Sequence, residues 1–460
     1  VQMALARLTG AYAICVMDIT NPNTLVAARS SSPLVVGLGT KAHFVASDPL
    51  ALQPVCNQFI YLEEGDVAEI HQNGLAILNA KGERVSRKVQ YIAWDADPGD
   101  KQHYQHFMQK EIHEQPATIK TTLDANLQGN ELPFTAFGPQ AEHLLPRAKK
   151  IHIIACGTSY FAGLVGKYWL ESFTDIPCEV EIASEFRYRK KVVQADTLFI
   201  AISQSGETAD TLAAIKDAKK QANCLGVLCI GNVPNSAMMR TADLRFLTLA
   251  GPEIGVCSPK AFTTQLLALL LLTLRMASNN KLPPEARATL LAELRQLPQQ
   301  IEALLALDPA IQSIAQQLTQ RQSVLLLGRG ACFPIALEGA LKLKELSYIY
   351  AEAYPGGELK HGPLALVDAG MPVIVLGAND HLWEKLKSNM EEVRARGGKI
   401  FAFIDQSLTG VDESIQILQL PAMSPALAPM EYIIPLQWLS HHLAVLYCTN
   451  DAQTTNCAKS

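Results

Sequence analysis

The 460-residue sequence predicts two tandem α/β domains, each a doubly wound parallel sheet, preceded by a β-rich segment. From about residue 146 onward, short apolar strands alternate with helical stretches, which is typical of a parallel sheet with helices on both faces. The same series recurs after residue 320, which indicates a second domain of the same kind. Residues 1–90 instead show short strands separated by turn formers.

The β-rich segment contains apolar runs such as AYAICVMD, TLVAARS and FIYLEEGDVAEI. Asn73-Gly74, between two such runs, predicts a hairpin turn. The chain starts at Val1 in mid-pattern, without an initiator methionine or a signal-peptide pattern. We therefore expect a fragment or a processed piece of a longer protein.

A polar connector follows, and it contains the helical stretch HYQHFMQKEIHEQPATIKTTLDANL. Pro116 within that stretch predicts a break or kink, because proline cannot donate the helical hydrogen bond. No cysteine or closely spaced carboxylate set completes a metal site with His103, His106 and His113. These histidines are therefore predicted to face solvent.

The predicted strands of the first α/β domain are IHIIACG, TLFIAIS, CLGVLCIG and LRFLTLAG, and those of the second are SVLLLGRG, MPVIVLG, KIFAFID and IQILQLP. Gly157 and Gly328 are predicted counterparts, because each follows the first apolar strand of its domain and opens a helix. The predicted boundaries are 1–90 for the β-rich domain, 91–145 for the connector, 146–285 for the first α/β domain, 286–315 for a helical bridge, 316–450 for the second α/β domain and 451–460 for a C-terminal tail.

Composition excludes several classes of protein. The net charge is −5 and no basic block appears, which argues against a nucleic-acid partner. The longest apolar run, 266–274, is far shorter than the ~20 residues of a membrane span and predicts a buried core helix. Ten cysteines without a C-x-x-C pair predict free thiols in a reducing cytoplasm. We expect no metal and no organic cofactor.

The stretch AISQSGETAD, residues 201–210, turns from an apolar strand into a cluster of small polar side chains. Ligands of open α/β sheets bind at the carboxyl ends of the strands, and a helix N-terminus there favours anions. Hydroxyl and amide groups with one close-approach glycine, Gly206, predict a phosphate site, and Cys156–Ser159 on the first strand predicts a second such turn. The alternative is a serine-rich helix cap without a ligand.

The second domain carries candidate acid–base groups. Glu338, Lys342 and Glu345 have the i, i+4, i+7 spacing that places them on one helical stripe, which by itself indicates a surface ion-pair ladder. His361, in ELKHGPLAL, is a candidate proton shuttle because histidine titrates near neutral pH.

Taken together, CGTSY, EIASEFRYRK, SQSGETADTL, KAFTTQL, EGALKLKE and ELKHGPLAL resemble the glutamine–fructose-6-phosphate aminotransferase family, also called glucosamine-6-phosphate synthase. The resemblance covers nearly the whole chain. It implies two sugar-isomerase (SIS) domains, preceded by the C-terminal part of an Ntn-type glutamine amidotransferase domain. It also implies conversion of fructose 6-phosphate to glucosamine 6-phosphate with ammonia from glutamine, in a cytoplasmic homodimer with a shared active site and without a membrane partner.

The resemblance also implies roles for individual residues. Glu345 would move a proton between C1 and C2 with support from Lys342 and Glu338, His361 of a neighbouring subunit would open the sugar ring, and Lys459 would form a Schiff base. The sugar phosphate would be held by a set of mostly hydroxyl and amide side chains: Thr158, Ser159, Ser203, Gln204, Ser205, Thr208, Val256 and Ser258.

The sequence departs from the family in three places. The N-terminal cysteine nucleophile and the glutamine-binding motifs of the amidotransferase are absent, so we expect no glutamine hydrolysis by the chain as given. Pro259 stands where the family commonly has threonine, and Thr454-Thr455 replaces a Pro-Arg pair in the tail. The alternative functions are a phosphosugar isomerase or deglycase, and a non-catalytic sugar-phosphate sensor.

Overall fold

The structure, a computed structural model, describes residues 1–30, 32–92, 100–129, 131–319 and 321–448. The chain divides into two compact units, Val1–Asp100 and Lys101–Ser460. No helix of the described residues is long and apolar enough to cross a membrane.

The described part of the first unit is a short helix and two antiparallel sheets with strand orders β1-β2-β6-β7-β8 and β4-β3-β5-β9. Their inner faces share one apolar core, to which Ala27 and Ile70 contribute from one sheet and Val36 and Ile60 from the other. The elements are α1 Gln2–Leu5, β1 Tyr12–Asp18, β2 Asn21–Ser30, β3 Val35–Leu38, β4 His43–Ala46, β5 Gln58–Tyr61, β6 Val67–His71, β7 Gly74–Leu78, β8 Arg84–Val85 and β9 Val89–Tyr91.

The predicted hairpin is present, but its turn lies one residue earlier than predicted. His71 pairs with Gly74, so Gln72-Asn73 forms the two-residue turn and Gly74 begins β7. The pairing register of β6 with β7 decides this position, because it places Ile70 and Ile77 in the core.

The second unit contains two five-stranded sheets, and every strand pair in both is parallel. Their orders, β11-β10-β12-β13-β14 and β16-β15-β17-β18-β19, are the same doubly wound 2-1-3-4-5 arrangement. The strands are β10 Lys150–Ala155, β11 Cys178–Ile182, β12 Thr197–Ser203, β13 Cys224–Gly231, β14 Leu244–Leu247, β15 Ser323–Gly328, β16 Tyr350–Pro355, β17 Pro372–Gly377, β18 Lys399–Asp405 and β19 Gln416–Leu420.

The helices of this unit are α2 Phe107–Asn126, α3 Ala141–Leu144, α4 Gly157–Thr174, α5 Ala183–Tyr188, α6 Ala209–Lys219, α7 Ala237–Thr241, α8 Pro259–Met276, α9 Pro284–Leu305, α10 Asp308–Leu318, α11 Cys332–Ser347, α12 Trp383–Ala395 and α13 Ala428–Cys448. One large core joins the two domains, because side chains of α4, α8, α11 and α13 pack together between the sheets. As predicted, residues 266–274 are buried, and they lie in α8.

Two details of the α/β domains differ from the sequence prediction. The edge strand β11 was not predicted, because its pattern alternates apolar with charged residues instead of forming an apolar run. Gly328 ends β15 but does not open the next helix, which begins four residues later at Cys332. Gly157, in contrast, is the first residue of α4, with a φ of 52°.

The predicted break at Pro116 is wrong, because α2 continues through it. A proline at this position leaves the carbonyl of Ile112 without its usual helical donor. The side-chain amide of Gln115 donates to that carbonyl at 3.1 Å and to Gln437 Oε1 of α13 at 2.8 Å. The neighbouring glutamine thus satisfies the orphaned acceptor and ties α2 to α13.

The prediction that the connector histidines face solvent holds for one of three. His103 is exposed, whereas His106 and His113 are half-buried against α13. The ring of His113 packs edge-on against Trp438 at 5.2 Å, and that of His106 against His441 at 5.3 Å. Burial and the neighbouring histidines lower the pKa of His441 to about 3, so this contact is between neutral rings.

Candidate active site

The predicted hydroxyl turns lie at the switch point of the first sheet. Strands β10 and β12 are adjacent and parallel, and they lead into α4 and α6 at the same edge. Neither helix has a side-chain cap at its N-terminus. Two long helices therefore present backbone N–H groups at the position where doubly wound sheets bind ligands.

The turn 203–208 organises its hydroxyls internally. Ser203 Oγ lies 3.1 Å from Thr208 Oγ1 and accepts from the Gly206 N–H at 3.0 Å. Ser205 Oγ accepts from the Glu207 N–H at 3.2 Å. Thr208 occupies the N-cap position of α6, yet its side chain bonds to Ser203 and does not cap the helix. A simple serine-rich cap does not describe this turn.

The scaffold itself requires a glycine at position 206. Its φ is 65°, and a Cβ there would lie 2.0 Å from Ser236 Oγ. The Gly206 carbonyl accepts from Met238 N–H at 3.0 Å, and Glu207 Oε1 accepts from Ala237 N–H at 2.7 Å. Helix α7 therefore fixes the shape of the turn from behind.

The stripe on α11 is buried, so the surface ion-pair ladder indicated by the spacing is wrong. Glu338 is 0% exposed and Lys342 1% exposed. The Lys342 ammonium lies 3.0 Å from Glu338 Oε1 and 3.1 Å from Glu345 Oε2. Only Glu345, with a third of its side chain exposed, reaches toward solvent. Amphipathic spacing could not show the burial, because it depends on α4 of the first domain, which packs against α11.

Thr158 joins the two domains at this point. Its hydroxyl donates to Glu338 Oε1 at 3.1 Å and accepts from Lys342 Nζ at 2.9 Å. The first hydroxyl turn therefore lies directly beside the charged stripe. Lys342 thus brings an ammonium close to the turns for which the sequence predicted only hydroxyl and amide donors.

The charges of this cluster are set by burial and by each other. Burial opposes the charged form of Lys342, but the carboxylates of Glu338 and Glu345 outweigh it and raise the pKa of that ammonium. Burial raises the pKa of Glu338, while Lys342 and Thr158 act in the opposite direction. Glu338 Oε2 is buried without a hydrogen-bond partner in the described part of the chain, so it can accept from a bound hydroxyl.

The loop between β14 and α8 carries Val256 and Ser258, to which the resemblance assigns contacts with the sugar phosphate. Ser258 caps α8 with a φ of 46°, and Pro259 follows at the first helical position. Proline is favoured there because its missing N–H would have no helical acceptor. The departure at Pro259 is thus accommodated by the backbone.

Sequence reasoning missed the groups that hold this loop. Glu111 Oε1, on the connector helix α2, accepts from the N–H groups of Ile254 at 2.6 Å and Gly255 at 2.9 Å. Lys260 Nζ reaches Glu114 at 2.6 Å and the Pro252 carbonyl at 2.6 Å. A polar helix before the domain gave no signal of this role, since its partners lie more than 140 residues away.

Of the other two predicted catalytic residues, one lies away from this cluster and one lies outside the described residues. His361 is exposed at the end of a 3₁₀ turn, Gly356–His361, and no hydrogen bond or ion pair of the described residues joins it to the α11 stripe. Lys459 lies outside the described residues, which end at Cys448 in α13.

Comparison with known protein families finds the same two α/β domains. The profile of the SIS domain family matches residues 144–275 and 317–447. The enzyme named glutamine–fructose-6-phosphate aminotransferase (isomerizing) from Pseudomonas putida is 52% identical over 459 residues, 99% of this chain and 75% of that protein. Its Escherichia coli namesake is 50% identical over 458 residues, again 99% of this chain and 75% of that protein. This chain belongs to the glutamine–fructose-6-phosphate aminotransferase family.

A solved structure leads to the same family. The C-terminal domain of glucosamine-fructose-6-phosphate aminotransferase from Francisella tularensis superposes with a TM-score of 0.74 at 48% identity, covering 76% of this chain and 98% of that one. The family resemblance and the two tandem SIS domains predicted from the sequence are confirmed. The roles of individual site residues, and the amidotransferase origin of residues 1–90, stay predictions.

Proposed function

We propose that the chain is an isomerising aminotransferase that makes glucosamine 6-phosphate from fructose 6-phosphate and glutamine-derived ammonia. Family membership supports this function over that of a simple phosphosugar isomerase, deglycase or sensor. The observation that carries it is the hydrogen bonding of Thr158, in the first domain, to Glu338 and Lys342 in the second. An anion-binding turn and acid–base groups can then act on one small sugar phosphate.

The phosphate would bind at the N-termini of α4 and α6, where uncapped N–H groups favour an anion. The side chains proposed to hold it are Ser159, Ser203, Gln204, Ser205 and Thr208. Thr158, already bonded to α11, would lie where the sugar meets the acid–base stripe. Val256 and Ser258 would contact the sugar from the loop before α8.

The proposed chemistry uses the second domain and the tail. His361 opens the ring, and the Lys459 amine condenses with the C2 ketone and releases water. Ammonia then replaces the lysine on C2. Glu345 takes a proton from C1 and returns it to C2, while the C1 hydroxyl proton passes to the imine nitrogen, so that C1 becomes an aldehyde and C2 carries the amine. Lys342, at 3.1 Å, stabilises the carboxylate form of Glu345.

We also propose a cytoplasmic homodimer in which His361 serves the neighbouring active site. Its exposure, away from the stripe of its own chain, supports this arrangement. The described cysteines are free, which supports a reducing compartment. Mixing inactive H361A and E345Q subunits tests the shared site, because each heterodimer would contain one site with both residues intact and should show about half the activity of the unmodified dimer. If no ratio of the two subunits restores activity, the shared site is contradicted.

The reaction is tested with fructose 6-phosphate and an ammonium salt, followed by mass spectrometry of the product. We expect slow formation of glucosamine 6-phosphate, and borohydride with substrate should label Lys459. Formation of glucose 6-phosphate alone would point to an isomerase. Tight binding without turnover would point to a sensor.

A further inference from the structure

The loop before α8 places a thiol against the proposed base. Cys257 Sγ lies 3.2 Å from Glu345 Oε2, and Cys257 is only 1% exposed. The same oxygen accepts from Lys342 Nζ at 3.1 Å. Among the described residues no hydrogen bond reaches the other oxygen of Glu345, which therefore stays open to a substrate.

The thiol is available as a donor throughout the pH range of an enzyme assay. Burial strongly raises the pKa of Cys257 and is the largest effect on it. The Lys342 ammonium lowers this pKa, and the Glu345 carboxylate raises it. A neutral thiol donates a weak hydrogen bond, which an ionised acceptor strengthens.

The backbone that carries the thiol is rigidly held. Glu111 fixes the N–H groups of Ile254 and Gly255, and Ser258, directly after the cysteine, is the N-cap residue of α8. A donor on such a support can orient a side chain on another domain, here the partly exposed Glu345. A cysteine that only filled space in the core would not need its Sγ atom directed at a carboxylate oxygen.

We propose that Cys257 is a positioning residue: its S–H group holds Oε2 of Glu345 and directs the free Oε1 toward the substrate carbon. This inference rests on the proposed role of Glu345 as the base. The charged or titratable groups around that carboxylate are Lys342 and Glu338 on α11 and Cys257 itself.

The test compares C257A and C257S with the unmodified chain, with fructose 6-phosphate and ammonium salt, across pH 5.5–9. Loss of one hydrogen bond to a charged group should lower kcat of C257A roughly 10-fold with little change in KM. The acid limb of its kcat profile should move to higher pH, because the carboxylate loses a stabilising donor. C257S, which keeps a donor, should recover most of both properties.

A purely structural role predicts a different pattern, in which C257S is as impaired as C257A or worse. That pattern, or an unchanged acid limb in C257A, overturns the proposal. The variant E345Q distinguishes failure of Glu345 as the base from failure of the role of Cys257. Full activity in E345Q refutes Glu345 as base. An inactive E345Q beside an unaffected C257A refutes only the role of Cys257.

A spectroscopic readout covers the case in which C257A does not fold. The S–H stretch of Cys257 in the unmodified chain, assigned by its loss in C257S, should move to higher frequency in E345Q because the charged acceptor is gone. A band that does not move contradicts the hydrogen bond.

Discussion

The two SIS domains share one topology but differ at the corresponding strand ends. After β12 the first domain has the hydroxyl turn and an uncapped α6. After β17 the second domain has Asp380, whose carboxylate accepts from the Leu382 N–H at 2.8 Å at the start of α12. A carboxylate at that position repels an anion. The turn of the first domain therefore suits the proposed phosphate, and that of the second does not.

The helices that follow the first strands show the complementary difference. In the first domain α4 offers its N-terminal turn, with Thr158 and Ser159. In the second domain the counterpart, α11, offers charged residues between its second and fourth turns. Because α4 and α11 pack against each other, the two contributions meet. In the proposed function, one fold repeated twice thus separates substrate binding from proton transfer.

The largest effect is expected from the proton-transfer half. Replacing Glu345 by Gln removes the proposed base, which should lower kcat by about 10²–10⁴-fold. Binding of fructose 6-phosphate, measured by calorimetry, should change little. E352Q on β16 is the matched control in the same domain and should stay near full activity. If E345Q lost binding and turnover equally, the separation of roles would be wrong.

The scaffold of the binding half is tested by a pair of glycines. Both Gly157 and Gly206 have positive φ, so alanine costs about 1–2 kcal/mol at either position. At Gly206 the new Cβ also meets Ser236 Oγ, whereas at Gly157 no atom lies within 4 Å. G206A should therefore lose about 1–3 kcal/mol more than G157A in urea unfolding. Equal losses would show that α7 does not brace the turn.

The binding half itself is tested at Ser205. S205A removes one hydroxyl proposed to contact the phosphate, and should lower kcat/KM roughly 10-fold or more, mainly through KM. The control is N379A in the corresponding turn of the second domain, where Asn379 donates to Ser407 Oγ at 2.9 Å. N379A should leave KM unchanged. A comparable rise of KM in both variants would mean that both turns bind the substrate.

The difference between the domains also shows what a sequence can predict. The apolar strands, the Gly157 turn and the hydroxyl cluster are local patterns. They predicted the two sheets and the proposed phosphate-binding half of the site. The burial of Glu338 and Lys342 is a tertiary property, because α4 of the first domain packs against α11 and Thr158 contacts both residues of a stripe that looks solvent-exposed by spacing alone. Cys257 and Glu111 were missed for the same reason, since each acts on a residue far along the chain.

The loops that lead into the last helix of each domain are held in different ways. In the first domain the connector helix holds the loop through Glu111. In the second, Asp405 at the end of β18 accepts from the Met423 N–H at 3.2 Å, and Glu431 lies in the first turn of α13. Burial, together with Glu253, raises the pKa of Glu111 to about 7. Burial, together with Asp405, raises that of Glu431 to about 9.

These pKa values predict the smallest effect, a pH dependence that differs between the domains. A carboxyl whose pKa is raised on folding contributes stability that is complete below its unfolded pKa and is lost as pH rises to its folded pKa, at up to about 1.4 kcal/mol per pH unit. For Glu111 this loss ends near pH 7, whereas for Glu431 it continues to about pH 9. In urea unfolding from pH 7.5 to 9, E111Q should therefore parallel the unmodified chain and E431Q should show a flatter decline. If E111Q also flattened the decline in this range, Glu111 would still be protonated above neutral pH, and the pH dependence would not differ between the two domains.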